Sequence, residues 1–234
     1  MSEVRLSDFK MFEKAPYELP DAKPFIELAI RGTKEIEKVY GPSFITIFIK
    51  HALWFIAQKI GEKTPDDIKD LDQLTEYLIS VSDKYPRPFC ACTYAQIKTE
   101  NIFEGRIGAG TKVESMRISR NIAKEGKIKI KNFDVEGTVT KIRQTGVAMK
   151  IVPREMGYKK NDDGGVDILW PKCYLMDACE LAFTEGLLKR PKGGLRCGLG
   201  ESLSQLFKIL TNNEWDYTLL EFNKPYCIHR NYPV

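Results

Sequence analysis

One segment of the chain, residues 43–60, constrains the fold more than any other because it is apolar on nearly every side. It follows Pro42 and ends before Gly61, which is the usual punctuation of a helix. A helix without a polar face must be buried, so we expect this one to be central. Lys50 and His51 interrupt the apolar run, which is then shorter than the roughly 18 residues of a membrane-spanning helix. The sequence therefore predicts a core helix and no membrane segment.

Helices are also predicted on either side of this segment. Residues 24–39 carry apolar side chains at helical spacing, and residues 64–81 begin with a threonine, a proline and two acids, as helices often do. The run 89–97 alternates and predicts a strand. That strand would place Cys90 and Cys92 on one face, where they either pack in the core or bind a metal together.

Residues 104–160 form a basic stretch, with fourteen Lys and Arg against six Asp and Glu. Alternation in 127–131, 135–142 and 147–151 predicts strands, so we interpret the stretch as a basic β-hairpin insertion. Lysines on a strand can follow phosphates, which makes a nucleic-acid surface an alternative. Aromatic stacking residues are nearly absent here, Phe133 being isolated, so a nucleic-acid partner is not favoured.

The remaining elements alternate between strands and helices. Strands are predicted at 166–170 and 215–222, and helices at 175–188 and from Gly200 onward. The order of elements predicts an α/β fold of the α+β kind, in which a layer of helices covers a mainly antiparallel sheet. We expect residues 1–23 to be an irregular arm, and residues 24–234 to be a single ligand-binding domain that includes the hairpin.

The composition indicates a globular protein in a reducing compartment. The 234 residues carry a net charge of only +4, and their six cysteines are scattered. The first residues, Met1 to Arg5, do not resemble a secretory leader. We therefore expect a cytoplasmic protein whose cysteines are thiols or metal ligands.

Four of the cysteines lie in the last third of the chain and predict a structural zinc site. They are Cys173, Cys179, Cys197 and Cys227, with His229 as a substitute ligand. Four thiolates from separate elements suit the tetrahedral preference of zinc. The spacing lacks the short Cys-x2-Cys pairs of zinc ribbons, so buried thiols are the alternative interpretation.

A group of aromatic residues and one histidine predicts an apolar pocket for a hydrophobic or planar small molecule. An ordinary aromatic core is the alternative, and His51 is then a hydrogen-bonded core residue. The expected wall is formed by Phe44, Phe48, His51, Phe55, Tyr94 and Trp170.

An enzyme with a cysteine nucleophile or a catalytic zinc is a further possibility. Such a thiol needs a base within reach, and the chain offers only His51 and His229. No spacing pairs either histidine with a particular cysteine, so the catalytic residues stay unknown.

The order of elements, together with Val39-Tyr40-Gly41-Pro42, Gly61, Cys173-Tyr174, Cys179, Cys197-Gly198 and Cys227, resembles the 4-vinyl reductase domain family, which shares its fold with a Golgi-transport tethering subunit. The resemblance covers roughly residues 24 to 230. It implies an α/β fold, a small hydrophobic ligand or tetrapyrrole, and late cysteines that hold zinc in sensor relatives. The chain also resembles, more weakly, amino-thiazoline-carboxylate hydrolase-like proteins, which implies a hydrolase. We expect a small-molecule-binding protein of the first type that forms a homodimer.

Overall fold

The computed structural model shows two compact units built from separate stretches of the chain. The sheet unit comprises Met1–Leu19, Ser115–Cys173 and Gly194–Val234, and the helical unit comprises Pro20–Glu114 and Tyr174–Gly193. The residues described are 5–12, 19–104, 109–125, 134–148, 150, 155–171, 173–189, 194–223 and 226–234.

Eight α-helices and a five-stranded antiparallel sheet lie within these described ranges, which confirms the predicted α+β class. The helices are α1 (Ala22–Tyr40), α2 (Ser43–Ile60), α3 (Leu71–Ser80), α4 (Phe89–Glu104), α5 (Ala109–Glu125), α6 (Val135–Ala148), α7 (Met176–Thr184) and α8 (Gly198–Thr211). The strands are β1 (Lys10–Met11), β2 (Gly157–Lys160), β3 (Val166–Pro171), β4 (Trp215–Asn223) and β5 (Tyr226–Pro233).

The helical unit is built around α4, which packs against α1, α2 and α7. From Phe89 to Glu100 every residue is buried except Thr93 and Lys98, which are half-buried. The predicted strand at 89–97 is therefore wrong. A helix buried on all sides has no polar face, so a short apolar run of this kind is indistinguishable from a strand by its period.

The apolar helix α2 lies beside α4 and is not the central helix that we expected. Its buried face includes Phe44, Phe48 and Phe55, whereas Lys50 and Trp54 are exposed. The exposed indole explains the misleading pattern, because hydrophobicity alone does not distinguish a core tryptophan from a surface one.

The next helix begins later than predicted. Thr64 lies outside it, and α3 starts at Leu71 after Asp70, whose carboxylate accepts a hydrogen bond of 2.8 Å from the amide of Gln73. An aspartate in this position satisfies one of the amides that a helix leaves unpaired at its start. The capping residue, rather than the preceding proline, sets the boundary here.

In the sheet unit the strands lie in the order β1-β2-β3-β5-β4, with every neighbouring pair antiparallel. The last strand along the chain, β5, is thus inserted between β3 and β4. Helix α8 packs on β4 and β5. The predicted arm is not irregular throughout, because Lys10–Met11 forms strand β1 at the edge of the sheet beside β2.

The predicted basic β-hairpin is wrong for residues 109–125 and 135–148, which are helices, whereas Gly157–Lys160 at the end of the same stretch forms strand β2. Asp134 precedes α6 and accepts hydrogen bonds from the amides of Glu136 and Gly137, at 3.2 and 2.7 Å. This cap identifies a helix start despite the β-branched residues that follow. The predicted strand at 127–131, and residues 149 and 151 of the last predicted strand, lie outside the described residues.

A glycine in α8 allows the helix to approach the sheet closely. A Cβ atom at Gly200 would lie 2.5 Å from the ring of Tyr217, which is buried, whereas one at Gly198 meets nothing within 4 Å. The two glycines lie in the first turn of one helix, Gly200 buried against Tyr217 and Gly198 exposed. They therefore form a matched pair for mutation.

We expect Gly200→Ala to lower the free energy of unfolding by about 1–3 kcal/mol, the usual cost of overpacking. Gly198→Ala should leave stability unchanged or raise it slightly, because alanine favours the helical conformation. Urea denaturation of both variants tests this. Equal stabilities of the two variants would contradict the proposed contact.

Candidate functional site

The structure brings together four of the predicted pocket residues as closely packed rings of the helical unit. Phe44, Phe48, Phe55 and Tyr94 are all buried. The rings of Phe44 and Phe48 have centroids 6.2 Å apart, and those of Phe55 and Tyr94 are 5.4 Å apart. These four side chains form an aromatic core and leave no face of their own for a ligand.

His51 and Trp54 lie at the edge of this aromatic core. His51 is half-buried on α2, and Trp54, three residues further along, is 41% exposed. Residues three apart on a helix are neighbours on its surface. The indole of Trp54 stacks on Tyr94 with a centroid separation of 5.5 Å and an interplanar angle of 27°. A solvent-exposed ring is thus supported from beneath by a buried one.

A polar group lies next to these two rings. The hydroxyl of Tyr94 donates a 2.9 Å hydrogen bond to one oxygen of Glu185, and the ammonium of Lys98 donates a 2.5 Å bond to the other. Glu185 follows the end of α7, and Lys98 is one turn after Tyr94 on α4. Helices α2 and α4 and the residue that follows α7 therefore contribute to one cluster. We call this cluster the Trp54 platform and define it as His51, Trp54, Tyr94, Lys98 and Glu185.

The electrostatics of the platform keep its histidine neutral at pH 7. Burial lowers the pKa of His51, and the positive charges of Lys98 and Lys50 lower it further, while Glu185 opposes them. Burial and the bond to Glu185 raise the pKa of Tyr94, which therefore stays a hydrogen-bond donor. A neutral imidazole can both donate and accept a hydrogen bond. The site thus offers an aromatic face, an ammonium and a neutral imidazole.

Trp54, Lys98 and Glu185 were not predicted from the sequence. Trp54 could have been identified from its spacing of three residues from His51 on a helix. Lys98 lies just beyond the incorrectly predicted strand. Because that segment was predicted as a strand, the helical spacing of four residues between Tyr94 and Lys98 was not recognised. Glu185 has no local signal, because only tertiary packing brings it to α4.

The sixth predicted pocket residue, Trp170, belongs to the sheet unit. Its indole nitrogen donates a 2.7 Å hydrogen bond to Nε2 of His229, and Nδ1 of that ring lies 2.8 Å from the side-chain oxygen of Asn231. Because an indole N–H only donates, Nε2 must accept, and the neutral ring therefore donates from Nδ1. The amide of Asn231 donates in turn to the carbonyl of Gly200 and to Ser204.

This chain of hydrogen bonds links strands β3 and β5 to helix α8, and it accounts for both ring nitrogens of His229. A metal bond to His229 would require one of them to be broken. Burial lowers the pKa of His229 to about 4, against an ordinary value of about 6.5. The folded protein therefore holds this histidine neutral down to acidic pH.

Lowering the pH should destabilise the sheet unit through His229. The unfolded chain takes up the proton near pH 6.5 and the folded chain only near pH 4, so stability is present above pH 6.5 and is lost as pH falls between these values. The loss for this shift is about 3 kcal/mol. Urea denaturation at pH 7 and pH 4 measures it.

His229→Gln is the informative variant, because a glutamine amide can accept from Trp170 and donate to Asn231 without titrating. This variant should lose less stability between pH 7 and pH 4 than the wild type does. A His51→Gln variant, changed at the half-buried histidine, should still show most of the wild-type loss. Imidazole nitrogen NMR that finds His229 charged at pH 6 would refute the assignment.

The predicted zinc ligands are distributed over both units. Cys173, Cys197 and Cys227 belong to the sheet unit and Cys179 to the helical unit, and each of them is a thiol. Burial raises the pKa of Cys197 to about 12, and the nearby Cys173 contributes to the rise. Within the described ranges no three His, Cys, Asp or Glu side chains are grouped as metal ligands are. The zinc site stays a prediction.

Elemental analysis with thiol counting tests that prediction. If the site exists, protein purified without chelators carries one zinc per chain, and four of its six thiols react only after a chelator is added. Substoichiometric zinc together with six freely reacting thiols in the native protein would end the idea.

No helix in the described part of the chain combines the length and hydropathy needed to cross a membrane. Comparisons with protein-family models, curated proteins and solved structures gave no match.

Proposed function

We propose that this chain is a cytoplasmic small-molecule-binding protein of the 4-vinyl reductase type. The ligand has a planar, largely apolar body and lies on the Trp54 platform of the helical unit, with His51 beside it. A homodimer and a structural zinc remain predictions, and the proposal depends on neither.

The observation that carries the proposal is the exposed indole of Trp54 stacked on the buried ring of Tyr94. A large aromatic side chain gains free energy when its face leaves water, and the stacked partner has already fixed its orientation. A planar molecule can cover this face without ordering a flexible side chain. Tryptophan in such a position is a common anchor for binding.

The polar members of the platform explain how such a ligand would be oriented. His51 offers a neutral ring nitrogen, and Lys98 offers an ammonium held by Glu185. An apolar face with a few fixed polar groups at its edge is the usual composition of a small-molecule site. Orientation and specificity would come from these groups, and binding energy mainly from the stacking.

The hydrolase alternative receives less support from the residues described. A cysteine nucleophile must be a thiolate, and burial raises the pKa values of Cys90 and Cys197 to about 12. His229, one of the two candidate bases, has both ring nitrogens engaged. The basic surface proposed for nucleic acid depended on a hairpin, whereas residues 109–125 and 135–148 of that stretch are helical and Gly157–Lys160 pairs with β3 in the sheet.

The first test is fluorescence titration with the neutral planar probe N-phenyl-1-naphthylamine. Of the three tryptophans, Trp54 is exposed, whereas Trp170 and Trp215 are buried. The probe should therefore quench the fluorescence of Trp54 more than that of the other two. We expect Trp54→Ala, for which binding is followed by the emission of the probe itself, to weaken binding by about tenfold, because about 1.4 kcal/mol of stacking is lost.

Phe183→Ala is the matched control, since Phe183 is another exposed aromatic residue of the same unit. It should bind the probe as the wild type does. Identical affinities of the wild type and the Trp54 variant would contradict the proposed site. Native mass spectrometry of the purified protein adds an independent readout, in which a retained planar ligand supports the proposal.

A further inference from the structure

The charges around the Trp54 platform indicate the chemical class of its ligand. Two lysines, Lys50 and Lys98, act electrostatically on His51, against the single carboxylate of Glu185. Lys50 is exposed on α2, and the side chain of Lys98 is 30% exposed on α4. The local balance is therefore positive.

We propose that the ligand is a planar anion, whose ring lies on Trp54 and whose carboxylate or similar oxyanion is bound by Lys98. This inference rests on the proposed function and narrows it. The inference excludes a neutral apolar ligand, which would have no oxyanion for Lys98 to bind.

The geometry joins the ammonium to the ring through Tyr94 and Glu185. Lys98 follows Tyr94 by four residues, so both project from one face of α4. Tyr94 supports the indole of Trp54, and the same tyrosine donates to the carboxylate that holds Lys98. The aromatic face and the cation are thus fixed by one shared residue.

The acidic member of the platform does not favour a cation instead. Both oxygens of Glu185 already accept hydrogen bonds, one from Tyr94 and one from Lys98. An ammonium has three N–H donors, so a single bond to Glu185 uses only part of its capacity. Charge-assisted bonds to an oxyanion are stronger than those to a neutral acceptor.

Apart from burial, its largest cause, the lowered pKa of His51 has the same origin as the positive charge balance around the platform. After burial, the charges of Lys98 and Lys50 are the largest contributions that oppose its protonation. A potential that disfavours an imidazolium favours an anion at the same position. The neutral imidazole would then donate a hydrogen bond to the ligand without adding a second charge.

A matched pair of probes tests this inference on the full chain. Naphthalene-2-carboxylate and naphthalene-2-carboxamide share one ring system and differ in charge, and both can be titrated against the fluorescence of Trp54. We expect the carboxylate to bind about fivefold more tightly than the amide, in line with one partly exposed charge-assisted contact. Lys98→Gln should abolish this preference.

Two further variants make the result specific. Lys84→Gln removes an exposed lysine of the same unit that is likewise paired with a glutamate, Glu62, and should leave the preference unchanged. Glu185→Gln removes the competing carboxylate and should strengthen carboxylate binding, a gain that a poorly folded variant would not show. Circular dichroism checks that each variant is folded.

The outcomes separate the two proposals. If both probes bind in a Trp54-dependent manner with equal affinity, the ligand is not selected for charge and the inference is overturned while the proposed function stands. If neither probe depends on Trp54, the proposed function fails. A preference for the carboxylate that survives Lys98→Gln also overturns the inference.

Discussion

The burial of α4 from Phe89 to Glu100 is the constraint on which the helical unit depends. A helix surrounded by α1, α2 and α7 excludes water from nearly all of its side chains, and its core residues must then fill the space without cavities. The aromatic rings of α2 perform this role on one side. Tyr94 and Lys98 lie on this packed helix, where Tyr94 stacks on Trp54 and Lys98 binds Glu185.

Burial on this scale requires polar groups to be paired. Glu100 is buried on α4 and accepts a 2.7 Å hydrogen bond from Thr111, and Asp177 accepts one of 2.6 Å from the buried Tyr85. The sheet unit meets the same requirement with the bonds of His229. An unpaired polar group in such a place would cost about 1–3 kcal/mol. The pairing therefore permits polar residues inside both units.

Several elements could be predicted from local patterns because their burial is one-sided or their ends are marked. Helix α1 and strands β3 and β4 were correctly predicted in this way. The predictions failed at α4, which is buried on nearly every side from Phe89 to Glu100, and at α6, whose β-branched residues resemble a strand. The cap formed by Asp134 was present in the sequence and would have corrected the second error. For α4 no local signal was available, because a helix that is buried on nearly every side has no polar face to reveal the helical period of its apolar residues.

The features of the candidate site fall into the same two groups, those that follow from local patterns and those that depend on tertiary contacts. The sequence by itself determined that His51 lies on a helix rich in aromatic residues, and that the fold combines helices with an antiparallel sheet, since both follow from spacing along one element. It did not determine which aromatic residue of α2 faces solvent, nor that Lys98 and Glu185 meet beside it. Those facts depend on contacts between residues as much as 87 positions apart, such as Lys98 with Glu185. Only the tertiary structure decides them, because side chains on different helices become neighbours through packing, which leaves no periodic trace in the chain.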